Sequence, residues 1–227
     1  MIDRSTWQDD TLIKVTLDDG AGPYFVPKAL LCAASDYFVT ALKQETFSEG
    51  NTRDLCLPGC DDETLAYFLH WLTYRTLPSQ RSHVNEHKSS QDCQHCHSAM
   101  IKLWAFGDAY FLPKVQSLAM SWLTRLCTEI PMPATDAKMA FELTAVDSKL
   151  RTLVTRFMAY YVATGDWEDS ETLNIAGSVP GFFQYFVKQE FMPAAQKEMP
   201  YECFAPDSEG RSIYGPGGQT GVRWLRG

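Results

Sequence analysis

With 227 residues, 45% of them apolar, the chain has material for one core of ordinary size plus an appended helical region. Its formal net charge of −8 argues against nonspecific nucleic-acid binding, because polyanionic phosphates attract basic surfaces. No stretch approaches the ~18 consecutive apolar residues of a membrane span, and Met1–Ser5 opens without the apolar core of a signal peptide.

Ile13, Val15 and Leu17 alternate with Lys14 and Thr16, which predicts a half-buried strand over Leu12–Leu17. Asp19-Gly20 follows as a hairpin signal, since both residue types tolerate positive φ. Tyr24-Phe25-Val26 reads as the returning strand. Pro27 suits the first position of a short helix over Lys28–Leu31, where its missing N–H costs nothing. Ser35 is a candidate N-cap for the next helix, in which Tyr37/Ala41 and Phe38/Leu42 stack at i,i+4. Asp54–Leu57 reads as a third strand, broken by Pro58-Gly59. Asp61 then caps a helix with Asp62 and Glu63 at the positive end of its dipole. Leu65, Phe68, Leu69 and Leu72 give that helix one buried face, with His70 on the polar side.

Between Pro78 and Ala99 lies a polar insertion, 78–98, that holds His83, His87, His95 and His97 with Cys93 and Cys96. Cys93-Gln94-His95-Cys96-His97 formally matches C-x-x-C-H, the haem-attachment spacing. That chemistry needs an oxidising compartment and a buried pocket, whereas this loop is hydrophilic. His83, His87, Cys93 and Cys96 form H-x3-H and C-x2-C pairs suited to a tetrahedral zinc ion. Only five residues separate the pairs, against the ~12-residue spacer of ordinary fingers. The expectation is therefore an exposed polar loop, with no metal and no cofactor.

Downstream, Leu103, Phe106, Gly107 and Tyr110 mark one helix. Pro113 starts another, in which Val115, Leu118, Ala119, Trp122, Leu123 and Leu126 repeat at helical spacing. Pro131 and Pro133 break the chain. Asp136–Ala145 reads as a further helix. Ser148 caps a stronger one carrying Leu150, Leu153, Val154, Phe157, Met158 and Tyr161 on one face, ended by Gly165-Asp166. In the aromatic run Phe182–Val187, Phe183, Phe186, Val187 and Phe191 would line one side of a short helix. That side either folds back onto the preceding helices or forms a docking stripe, with Phe183 and Phe186 as partner-binding candidates. The glycine-rich Glu209–Gly227 reads as a flexible tail. Its Gly215-Pro216-Gly217-Gly218 lacks the Lys-Ser/Thr of a phosphate loop. Seven cysteines are an odd number, and Cys32, Cys56 and Cys127 sit in Leu-rich segments, so they are expected to be reduced and buried. The implied compartment is cytoplasm or nucleus.

Several pieces recur in a recognisable order. They are Ile13–Leu17, Phe25-Val26-Pro27-Lys28-Ala29-Leu30, Ser35-Asp36-Tyr37-Phe38, Phe47-Ser48-Glu49-Gly50, Leu55-Cys56-Leu57-Pro58 and Glu63 through Leu77. Together they make residues 12–127 resemble a BTB/POZ domain, similar to the BTB-containing proteins of filamentous fungi. One departure is Pro27, which stands where many members have His before the basic residue. The resemblance implies an α+β fold, a short three-stranded sheet with a helical cluster, followed by an all-α C-terminal extension. The chain then divides into an N-terminal tail (1–11), the BTB/POZ domain (12–127), the helical extension (131–195) and a tail (196–227).

The resemblance also implies non-enzymatic protein–protein interaction. In ubiquitin-ligase adaptors of this type a hydrophobic-x-Glu element contacts the cullin scaffold, and Phe47-Ser48-Glu49 matches it by position. Phe47 would fill an apolar slot, and Glu49 would make a charge-assisted hydrogen bond at its rim. Two alternatives remain. One is a homo-oligomerising scaffold such as a homodimer, although only about eleven residues precede the first strand. The other is a transcription-related regulator without its own DNA-binding domain. No Gly-x-Ser-x-Gly elbow, His-Glu-x-x-His or Gly-rich nucleotide loop is present, so no enzyme is expected. The acidic pairs Asp18-Asp19 and Asp61-Asp62 are explained by a turn and a helix start.

Overall fold

A computed structural model describes residues 11–18, 20–43, 53–78, 90–164, 169–179 and 181–182. Period-2 alternation in β1 (Leu12–Leu17) organises the first half: Ile13, Val15 and Leu17 turn inward and are at most 5% exposed. This strand pairs antiparallel with β2 (Tyr24–Pro27), placing Ile13 opposite Val26 and Lys14 opposite Phe25. It pairs parallel with β3 (Asp54–Leu57), placing Val15 opposite Leu55. The resulting mixed sheet has the order β2-β1-β3. A parallel neighbour demands a crossover, and helices α1 (Lys28–Ala34) and α2 (Asp36–Ala41) lie on it. The α+β class expected from the sequence is the observed one. Helix α1 outruns its predicted end at Leu31, and Pro27 closes β2 as the N-cap rather than opening the helix.

The acidic turns have structural partners. Asp18 accepts from the Gly59 N–H at 2.9 Å and from Cys56 Sγ at 3.6 Å, tying the end of β1 to the turn after β3. Asp61 caps α3 (Asp62–Tyr74) by accepting from the Thr64 N–H at 2.9 Å, and it also accepts from Lys102 Nζ at 2.7 Å. Burial alone would push the Asp61 carboxyl up, but these donors outweigh it and hold the group below the ordinary value. Asp62 accepts from the Tyr24 hydroxyl. Asp19 lies outside the described residues. Helix α3 buries Tyr67 and Trp71 as well as Leu65, Phe68 and Leu72, because it is covered on more than one side.

Helix α4 (Ser90–Ala109) corrects the sequence reading of its start: the last part of the 78–98 insertion is helical, not loop. From 90 to 106 no Pro or Gly interrupts the chain, and Cys96, His97, Ala99, Met100 and Leu103 already belong to the buried side. Histidine and cysteine made this stretch look polar, although both are often buried. Helix α5 (Pro113–Glu129) starts at the predicted proline and packs extensively against α4. At Gly107 a Cβ would come within 2.7 Å of Gln116 Cγ, so only hydrogen fits at that crossing.

Helices α6 (Ala134–Leu143), α7 (Lys149–Thr164) and α8 (Asp169–Ser178) complete the described chain. The sixth begins and ends two residues earlier than predicted, because Thr144 is extended. Ser148 accepts from the Arg151 N–H at 3.2 Å as the expected cap of α7, and all six predicted apolar residues of that helix are buried. No periodic stripe announced α8. Phe182 is fully buried against Phe141, ring centroids 5.3 Å apart. One apolar core therefore runs from the sheet through α7 to Phe182. Cys127 is buried as expected, but Cys32 is half-buried and Cys56 is exposed. The reason for Cys56 is strand alternation: Leu55 and Leu57 take the inward positions of β3. Among the described residues no helix is long and apolar enough to cross a membrane.

Candidate interaction surface

The short helix α2 is fixed at both ends by side chains from elsewhere. Ser35 Oγ accepts from the Tyr37 N–H at 3.0 Å and donates to the Tyr110 carbonyl at 2.6 Å, joining the helix start to the α4–α5 turn. Lys28 Nζ donates to the Leu42 carbonyl at 2.9 Å, which satisfies an orphan acceptor and favours the negative end of the dipole. Below the helix, Phe38 stacks between Phe68 and Tyr110, with Tyr37 edge-on. The Tyr110 hydroxyl donates to the Pro58 carbonyl at 3.0 Å. Burial, with Tyr37 nearby, pushes its pKa well above the ordinary phenol value, so it stays a donor.

This framework holds up Phe111. It lies between two anchored residues, with φ of 53° and 70% of its surface exposed. A bulky aromatic residue in the left-handed region is unusual, and an exposed one is more so. Val39 on α2 is a second exposed apolar residue. Elsewhere, Phe25 (62% exposed) and Leu12 lie on the outer side of the sheet, beside the Lys14–Asp54 ion pair of 3.2 Å. The docking candidates Phe47 and Glu49, in the segment that leaves α2 after Lys43, lie outside the described residues, as do Phe183 and Phe186.

Of the zinc candidates His83, His87, Cys93 and Cys96, only the Cys96 side chain is described. Cys96 is buried near Tyr67, whose phenol is pushed up to about 12 by burial, with Glu63 and Cys96 adding. Successive helical residues diverge by about 100°, so exposed His95, buried Cys96 and buried His97 aim different ways. No group of three or more His, Cys, Asp or Glu able to hold a metal occurs among the described residues. Elemental analysis of tag-free protein is expected to find zinc well below one equivalent; a full equivalent would reinstate the His83, His87, Cys93, Cys96 site.

Thiol chemistry has little support at Cys127, whose pKa burial drives far upward. A cleft of about 420 Å³ lies between α4, α5 and the turn before α7, lined by Trp104, Asp108, Gln116, Met120, Val146 and Lys149 among others. Asp108 there accepts from Gln116 Nε2 at 3.0 Å, and the lining includes no histidine or cysteine. One feature sequence reasoning missed is Phe111; the only hint was a Phe flanked by two otherwise core-forming residues before Pro113. No family model matches the chain, and no curated protein matches it.

Proposed function

We propose that residues 12–127 form a BTB/POZ-type module and that the protein works by binding other proteins, as a substrate adaptor of a cullin-type ubiquitin ligase. The observation that carries this reading is the surface around α2. A short helix pinned at both ends, with exposed Val39 on it and exposed Phe111 beside its start, offers apolar side chains for a partner to cover. The order of elements, two strands, two short helices, a parallel third strand and a longer helix, agrees with the family resemblance. Phe47-Ser48-Glu49 follows α2 in the chain, after residues 42–46.

Phe47→Ala with Glu49→Arg is expected to abolish cullin co-purification while leaving thermal stability nearly intact. Loss of folding in that variant would instead assign Phe47 to the core, and undiminished capture would remove the motif from the interface. The outer side of the sheet favours a second reading, homodimerisation, because Phe25 and Leu12 are exposed there on paired strands. Sedimentation of wild type and Phe25→Glu separates the two: a dimer that the substitution dissociates supports self-association.

A further inference from the structure

The most anomalous polar group among the described residues is Asp136. It sits in the first turn of α6, is 7% exposed, and its Oδ2 is buried without a hydrogen-bond partner. Buried carboxylates are ordinarily paired or hydrogen-bonded. Helix α6 is the element through which the C-terminal helices meet α4, so the orphan oxygen lies at a seam rather than at a surface.

The charged surroundings are few. From α4, exposed His95 and half-buried Lys102 act on Asp136, but Lys102 is committed to Asp61 at 2.7 Å. From α5 the neighbour is the Cys127 thiol, uncharged because burial raises its pKa. From α7, Arg151 is bound at the opposite end of α6, through the Phe141 carbonyl. The described side chains of α8 carry no charge. On α6 itself, Lys138 and Glu142 face each other at 3.7 Å. His95, Lys102 and the free N–H groups of the helix start favour the carboxylate, and burial opposes it. Burial prevails: the Asp136 pKa is pushed up to about 6.

We propose that Asp136 is a proton-operated latch on the α4–α6 seam, closed when its carboxyl is neutral and loosened when it ionises. A group whose folded pKa is raised contributes stability that is complete below the unfolded value of 3.8 and is lost as pH rises through about 6. The seam is therefore tightest in mildly acidic solution and opens more often at neutral pH, within the range that cells traverse.

Hydrogen exchange of the full chain tests this. After correction for intrinsic rates, α6 peptides of the wild type are expected to open about ten-fold more often at pH 7.5 than at pH 5.0. Asp136→Asn should remove that difference and remain protected at both values. A wild type with no difference, or the same difference surviving in Asp136→Asn, overturns the latch. Carbon-detected NMR titration of the wild-type carboxyl provides a test that needs no variant: a midpoint near 6 is expected, and one near 4 overturns it.

Discussion

Phe38→Ala is expected to destabilise the protein by about 3–5 kcal/mol, the cost of removing a large aromatic side chain from a filled core. Phe38 is fully buried, with ring centroids 5.9 Å from Phe68 and 6.0 Å from Tyr110. Loss of its ring leaves three aromatic neighbours facing a void that the pinned α2 cannot close. The midpoint of urea unfolding should fall accordingly, with little change in slope. Phe111→Asn is the internal contrast. Asn tolerates the left-handed conformation better, and little buried area is lost, so its stability should stay within about 0.5 kcal/mol of wild type. Equal losses for the two variants would contradict the placement of Phe38 inside and Phe111 outside.

Arg151→Met should lower the melting temperature by on the order of 10 °C, from a loss of about 3 kcal/mol. Helix α6 has no basic residue in its own last turn. Arg151 supplies the cation from α7 instead. Its guanidinium donates to the Phe141 carbonyl at 2.7 Å, to the Thr144 hydroxyl at 3.2 Å and to the Thr144 carbonyl. It also lies 5.0 Å from the Phe141 ring centroid. Methionine would keep much of the volume but strand the Phe141 and Thr144 carbonyls in a buried site, and each costs its desolvation, whereas the Thr144 hydroxyl keeps Ser148 and Ala140 as partners. Because the acceptors gather at the negative end of a helix, the cation is stabilised there without a carboxylate partner among the described residues. A thermal melt unchanged by Arg151→Met would show that water satisfies those carbonyls.

The parts of the fold that were legible in the sequence are those governed by local rules. The alternation in Leu12–Leu17, the caps at Ser35, Asp61 and Ser148, and the proline at the start of α5 each act within a few residues. What escaped depends on tertiary cover. Cys96 and His97 look polar in isolation, yet α4 buries them, so the helix extends into a segment that composition assigned to a loop. Tyr67 and Trp71 fall off the predicted stripe of α3 because neighbours cover two of its sides. Leu-rich surroundings suggest a buried Cys56, but strand alternation puts it outside. Neither Arg151 as a cap in trans nor Asp136 as a buried orphan has any local signature, since each is defined by a partner, or a missing partner, across a seam. Of the interaction surface we propose, the Phe47-Ser48-Glu49 motif is legible in the sequence, whereas Phe111 and the bonds that hold α2 emerge only from the fold.

We propose recognition of a cullin-type scaffold through the surface at α2 and the segment that follows it. Calorimetric titration of the purified wild-type chain with the N-terminal domain of such a scaffold measures it directly. Saturable one-to-one binding is predicted, with a Kd on the order of 1 μM or tighter. An absence of heat and of complex at about 100 μM of each component, from a chain that melts cooperatively, would contradict it.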